Sequence, residues 1–280
     1  MGEYNIKKYF DSLPDNVEII NLSNKYLGYL PDLSRFKKLE ILYCDCDELT
    51  SLPILPENLK ELHCGNNNLT SLSNLPKKLI ILSCEYNKLT SLPVLPENLK
   101  ELYCYNNKLT SLPVLPENLK EFSCSNNKLT LLPVLPENLK WLNLSGNKLT
   151  SLPPVLPKNL QFLYCNNNNL MSLPPVLPEN LERLYCYTNK LISLPILPEN
   201  LKTLYYYCNP ISNIIPYNNN LNIINKNIII WNNFLHLFYC LKYRKRFLRM
   251  MEPVIKKRYH PSYLYNLNEQ DDLDEKLNEW

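Results

Sequence analysis

The sequence predicts a solenoid: short β-strands, one per turn, stacked in parallel into a single sheet, with an extended return side that holds no helices. Three observations carry that expectation. The stretch "LPENLKELYCYNNKLTSLPV" at positions 95–114 is followed at once by its near copy "LPENLKEFSCSNNKLTLLPV", and self-similarity at a fixed period is the mark of a stacked repeat architecture. Within a copy, apolar and variable residues alternate over Leu102, Tyr103 and Cys104, the period of a strand with one buried face. The connecting "LTSLPVLPEN" carries two prolines, which remove backbone donors and favour polyproline-like chain over helix.

Aligned on the first leucine of the repeat, the units begin at Val17, Leu39, Leu59, Leu79, Leu99, Leu119, Leu139, Leu160, Leu181 and Leu201, roughly residues 17–211. Three strand residues cannot bury a core alone. Copies stacked about 4.8 Å apart pool their leucines into one hydrophobic column, so repetition is how this chain acquires an interior. An asparagine recurs where the chain leaves each strand, from Asn67 and Asn87 through Asn107, Asn127, Asn147, Asn168 and Asn189 to Asn209. A buried amide there can satisfy backbone groups that the turn leaves unpaired, and a ladder of such amides is expected along the stack. Lys25 and Asp47 occupy that slot in the first two units, so the ladder should fail at the amino end, where terminal repeats degenerate into a cap.

The flanks read as caps. Residues 1–16 place Ile6, Tyr9, Phe10 and Leu13 at helical spacing, consistent with a short covering helix. Residues 212–280 are expected to form a mainly helical carboxyl cap with a basic run and an acidic end. Its helix is expected over about 230–252, with Trp231, Phe234, Leu235, Phe238, Leu241 and Leu248 covering the open end of the leucine column and Pro253 stopping it.

The frame L-x-x-L-x-[LC]-x-x-N-x-L, seen at Leu99, Leu102, Cys104, Asn107 and Leu109, resembles the leucine-rich repeat family. The short "LPxLPxxLxxLxCxxNxLTSLP" form is similar to the repeats of bacterial type III secreted effectors. With the Asn-, Ile- and Tyr-rich composition, devoid of Ala, and the ending "IKKRYHPSYLYNLNEQDDLDEKLNEW", it looks more like the leucine-rich repeat proteins of mimivirus-type giant viruses. The resemblance implies a right-handed solenoid with a concave parallel sheet and a ligand-binding role.

Of the ten cysteines, Cys44, Cys64, Cys84, Cys104, Cys124, Cys165 and Cys186 share one inward slot, which Leu22, Leu144 and Tyr206 fill in the other units. The slot asks for an apolar filler, and Cys serves as a small hydrophobe. In "YCDCDEL", Cys44, Asp45, Cys46 and Asp47 lie near His63 and Cys64, but the paired C-x2–4-C spacing of a zinc site is missing. No metal and no cofactor is expected, and Cys46, in a turn, is expected to be exposed.

Residues between the inward positions share the opposite face. Its amino half is acidic and small, with Asp45, Glu61, Glu85, Glu101 and Glu121; its carboxyl half is aromatic. Tyr103, Tyr105, Trp141, Phe162, Tyr164, Arg183, Tyr185, Tyr187, Tyr205 and Tyr207 are the candidate partner-binding residues, because exposed Tyr and Trp anchor protein interfaces. The expected function is a non-enzymatic protein-interaction module, binding a host protein if the viral resemblance holds. Three scattered histidines, His63, His236 and His260, give acid–base catalysis little to work with. One alternative is nucleic-acid association through "LKYRKRFLRM" and "IKKRYH". Another is the substrate-recognition part of a ubiquitin-ligase-like effector, although no Cys-x-Asp motif follows the repeats. The net charge of +3 does not mark a globally basic binder. The opening "MGEYNIKKYF" lacks a secretory signal's apolar run, and "NIIIWNNFLHLFYCL" is too short and polar for a membrane span, so a cytoplasmic protein is expected, in the host cytoplasm if viral.

Overall fold

The computed structural model describes residues 6–258, with side chains described through Tyr239 and at Lys242 and Tyr243. Ten three-residue strands follow one another: β1 (Ile19–Asn21), β2 (Ile41–Tyr43), β3 (Glu61–His63), β4 (Ile81–Ser83), β5 (Glu101–Tyr103), β6 (Glu121–Ser123), β7 (Trp141–Asn143), β8 (Phe162–Tyr164), β9 (Arg183–Tyr185) and β10 (Thr203–Tyr205). They pair in sequence order, all parallel, and the register never slips: Leu42 faces Leu62, which faces Leu82. No helix lies between β1 and β10.

Each strand is short because the chain turns three residues later, yet the backbone ladder continues through the turn: Cys64 N–H donates to Ser83 O at 2.8 Å and Asn66 N–H to Glu85 O at 2.9 Å. The turn residue takes a left-handed conformation in every unit, with φ between 50° and 67° at Asn24, Tyr26, Cys46, Asn66, Tyr86, Asn106, Asn126, Gly146, Asn167, Thr188 and Cys208. Asn and Gly enter that region at least cost, which explains the doubled "NN" of the repeat.

The expected amide ladder is present and each rung spans two units. Asn67 Nδ2 donates to Cys44 O at 2.7 Å, Cys64 O at 3.1 Å and Gly65 O at 3.1 Å, while its Oδ1 accepts from Leu49 N–H at 3.0 Å. The pattern recurs to Asn209, whose Nδ2 donates to Cys186 O at 3.0 Å and Tyr206 O at 2.9 Å. At the amino end Asp47 keeps only half the function. Its Oδ1 accepts from Lys25 and Leu27 N–H at 2.9 and 3.1 Å, but Oδ2 is buried without a hydrogen-bond partner.

The inward cysteines are all buried, and Cys46, as expected, is exposed; so is Cys208, one residue before Asn209. Burial pushes the inward thiols up, Cys165 to about 12, so they stay protonated, and Cys104 Sγ donates to Ser123 O at 3.4 Å. The return legs hold a feature the repeat pattern did not predict. Leu95, Leu115 and Leu135 are buried, whereas the preceding Val94, Val114 and Val134 are 86–87% exposed.

The amino end is closed by α1 (Ile6–Ser12), which buries Ile6 and Phe10. Phe10 meets Phe36 edge-on at 5.6 Å, and the Arg35 guanidinium donates to the carbonyls of Phe10, which also accepts from Leu13 N–H at 2.9 Å, and of Leu13 just past the helix, where helix-end carbonyls need partners from outside the helix. The carboxyl end differs from the sequence expectation. Helix α2 (Leu221–Arg258) starts nine residues early and runs through Pro253, forfeiting one backbone hydrogen bond there. Because it starts early, Ile224 and Ile228 become the buried residues, joined by Ile211, Ile215 and Tyr206, while Phe234 and Phe238 are 54% and 46% exposed. Asn225 brackets Leu197, accepting from its N–H at 3.0 Å and donating to its carbonyl at 3.3 Å. Tyr206, in the cysteine slot, donates its hydroxyl to Ile215 O at 3.0 Å and Pro216 O at 3.1 Å.

The chain divides into two compact units at Ile229 and Ile230. In the second, Trp231 and Phe234 stack at 5.4 Å, and the Lys242 ammonium lies over the Phe238 and Tyr243 rings. The basic side chains from Arg244 onward, and the acidic stretch from Glu269 to Glu279, lie outside the described side chains. No described helix is long and apolar enough to cross a membrane.

Candidate functional site

The open face of the sheet, expected to be concave, is built by one rule: in each strand the middle residue points inward and its two neighbours point out. The burial pattern shows it, with Leu102, Phe122, Leu142, Leu163 and Leu184 buried and most flanking residues half-exposed. Exact register then places equivalent outward residues side by side, so the face is a grid of rows.

The middle row of the carboxyl half is a run of rings. Tyr164 and Tyr185 meet edge-on with centroids 4.8 Å apart, Tyr185 and Tyr205 repeat that geometry at 4.8 Å, and Trp141 lies 5.9 Å from Tyr164. Trp141 also reaches Tyr103 at 6.4 Å, although β6 lies between their strands. Ser123, on that intervening strand and paired with Tyr103, is 1% exposed. In the next row Tyr187 and Tyr207 stack nearly parallel at 4.5 Å, and Tyr207 joins Tyr205 at 6.3 Å. Seven of the expected residues therefore form one continuous ring contact: Tyr103, Trp141, Tyr164, Tyr185, Tyr187, Tyr205 and Tyr207. Edge-to-face and offset contacts of this kind add about 0.5–1.5 kcal/mol each beyond burial.

The other three expected residues stand apart from that run. Phe162 and Arg183 pair with each other, the guanidinium 5.4 Å from the ring centroid. Tyr105 packs edge-on against Tyr86 at 5.4 Å. Tyr86 was not among the expected residues because it sits in the left-handed turn slot beyond the strand, and an aromatic where most units place Asn or Gly was the signal available.

The amino half is acidic and internally wired. Asp45 accepts from Gly65 N–H at 2.7 Å, Ser83 donates to Glu85 at 2.6 Å, and His63 stacks on Tyr43 at 4.7 Å with Glu61 3.6 Å from its Nε2. Burial raises the pKa of Asp45, and the nearby Glu85 charge adds to the rise. The halves meet at Tyr103, whose hydroxyl donates to Glu121 at 2.6 Å and Glu101 at 3.1 Å. Burial, then the two carboxylates, hold that phenol well above its usual range. Among the described residues no group of three or more His, Cys, Asp or Glu side chains is placed to hold a metal ion.

The model of the leucine-rich repeat family matches residues 138–158 and 159–181. No curated protein matches the chain. Among solved structures, YopM from Yersinia enterocolitica WA-314 is 35% identical with a TM-score of 0.66 over 71% of this chain, and the chain spans 48% of YopM's length. A Shigella effector leucine-rich repeat domain is 29% identical with a TM-score of 0.52, covering 59% of this chain and 74% of that domain. The functional domain of InlJ from Listeria monocytogenes, which includes a cysteine ladder, is 24% identical with a TM-score of 0.53, covering 70% of this chain and 54% of that one, and supports the fold alone. Repeat sequence, strand register and these likenesses agree that the chain is a leucine-rich-repeat solenoid, structurally similar to bacterial effector repeat proteins.

Proposed function

We propose that this solenoid is a non-enzymatic protein-interaction module that holds a protein partner on the open face of its sheet, with the aromatic half as anchor. The observation that carries the reading is the continuous run of seven rings from Tyr103 to Tyr207, of which Tyr205 and Tyr207 stay 36% and 50% exposed. Rings already braced by their neighbours lose little side-chain freedom on binding, which is the general advantage of a preorganised surface. Tyr and Trp dominate the energetically decisive positions of protein interfaces. The floor's five carboxylates and single Arg183 oppose a phosphate backbone on this face, which needs cations to displace its counterions.

The test is affinity capture from a host-cell lysate with the immobilised chain, comparing wild type with Tyr164→Ala/Tyr185→Ala. Loss of specific bands from the double variant, which still unfolds cooperatively at a somewhat lower temperature, is the expected result. An unchanged set of captured proteins would place the binding surface elsewhere.

A further inference from the structure

The ring row has a period. Tyr164, Tyr185 and Tyr205 come from consecutive strands with successive centroids 4.8 Å apart, so two steps along the row cover about 9.6 Å, as two strand spacings should. A polyproline II helix repeats every three residues at about 3.1 Å per residue, or about 9.3 Å per turn. Prolines three residues apart on such a segment therefore meet the row in phase, one at every second ring. The edge-on rings offer alternating faces and edges against which a pyrrolidine ring packs, the type of aromatic-lined surface that proline-rich segments use elsewhere. A polyproline II segment leaves its own carbonyls free. Burial and neighbouring rings hold the Tyr185 and Tyr207 phenols above their usual range, so both remain donors.

The row also has a direction. At its amino end Trp141 leads to Tyr103, flanked by Glu101 and Glu121. Beyond lie Glu85 and Asp45, and among the described residues none of these four carboxylates is within ion-pair distance of a Lys or Arg. Lys100, Lys120 and Lys140 are exposed and sit one residue before their strands, outside the outward rows. The opposite end of the row, at Tyr205 and Tyr207, carries no carboxylate on the floor.

We infer that the open face takes a proline-rich segment of its partner in polyproline II form, its prolines on the Tyr164–Tyr185–Tyr205 row and a lysine or arginine at one end against Glu101 and Glu121. This rests on the reading that the open face binds protein, and it names the class of sequence bound. A segment spanning β6 to β10 covers four strand spacings, about 19 Å, and so needs about six residues at about 3.1 Å each.

The full-length chain is titrated into fluorescein-labelled synthetic nine-residue peptides and read by anisotropy. The peptides carry proline at every third position with an arginine pair at the amino or the carboxyl end; controls replace each proline by glycine or each arginine by glutamine. Expected are saturable binding of one of the two arginine-ended peptides in preference to the other, and at least about tenfold weaker binding of the glycine control. Tyr185→Ala should also weaken binding about tenfold or more, as loss of a central anchor does. Glu121→Gln should weaken the arginine peptide several-fold and leave the glutamine peptide unchanged. Failure of every proline peptide to saturate, or equal binding of the glycine control, overturns the inference. If no peptide binds while Tyr164→Ala/Tyr185→Ala still abolishes partner capture, the proline-segment inference falls and the open-face reading stands. If capture too is indifferent to that pair, both fall.

Discussion

The two faces of the same ten strands obey opposite rules. Inward, the same few side chains recur in unit after unit, a leucine, a cysteine and an asparagine, because each must match the copy above and below it. Outward, the residue changes at nearly every step: along one row Glu101, Glu121, Trp141, Phe162 and Arg183 lie side by side on consecutive strands. A position that must repeat answers to packing; one free to vary without harming the stack is where binding can be written. The comparison teaches that stability and recognition are separated residue by residue within a three-residue strand.

The largest effect should come from breaking the inward rule. Cys104 lies at zero exposure with Cys84 and Cys124 in the same slot of the neighbouring units. Cys104→Asp places a carboxylate there with no cation to meet it, and a cost above about 4 kcal/mol is expected, the range of an unpaired buried charge. Cys104→Leu should cost no more than about 1–2 kcal/mol, since Leu144 already fills the slot one unit beyond Cys124 and the penalty is only overpacking. Urea unfolding of the two variants under reducing conditions measures both. Equal midpoints would mean that the slot is not the packed interior it is here.

The next sharpens the comparison where the inward rule is already broken. Asp47 sits in the amide ladder, yet its buried Oδ2 has no partner at the place where Asn67 puts a donating N–H. Burial raises its folded-state pKa above the ordinary 3.8, with the Lys25 and Leu27 N–H groups and the Lys25 charge pulling the other way. The folded state therefore holds the proton more tightly than the unfolded one. The stability linked to this group is present in acid, below that ordinary value, and lost as pH rises through the folded pKa. Asp47→Asn should stabilise the amino-terminal repeats by about 1–3 kcal/mol at neutral pH, the scale of an unsatisfied buried polar group, and by much less in acid where the aspartate is already protonated. Amide exchange of β1 and β2 against pH reads this, and a gain that does not depend on pH would show that the missing donor is not the cause.

A smaller effect belongs to the turn. Thr188 holds φ at 52°, a region costly to a β-branched residue and easily entered by Asn. Thr188→Asn should raise stability by about 1 kcal/mol, seen as a higher urea midpoint at unchanged slope; no gain would mean that the turn tolerates the side chain without strain. The outward pair Tyr164 and Tyr185 tests binding more than folding: its loss removes three ring contacts of the open face, so a lowered but still cooperative melt is expected together with loss of partner capture.

How far this was legible beforehand follows from which residues repeat. The period, the strand positions, the inward cysteines and the rungs from Asn67 to Asn209 could all be read, because each is an identity that recurs every 20 or 21 residues. The start of α2 could not. Ile224 and Ile228 are merely two apolar residues in an Asn- and Ile-rich stretch until the last return leg presents the Leu197 backbone for Asn225 to bracket. The wedge of Trp231, Phe234 and Phe238 looked the better covering face because hydrophobic pattern alone does not say where a helix begins. The exposed valines of the return legs were hidden for a similar reason: in "PVLP", Val and Leu are equally apolar, and only the direction of the chain decides which one turns to water.

Of the candidate site, the sequence by itself determined membership of the rows, since strand alternation and a fixed period place Tyr103, Trp141, Tyr164, Tyr185 and Tyr205 on one face whatever the details. Tertiary structure decided which of those side chains touch. It brought Trp141 and Tyr103 together across β6, turned Tyr105 away to Tyr86, and set the Tyr103 hydroxyl between Glu101 and Glu121. The physical reason is that a strand's period fixes the direction of a Cβ, whereas the position of a ring several bonds further out depends on how much space the residue on the next strand leaves it, and that neighbour lies twenty residues away.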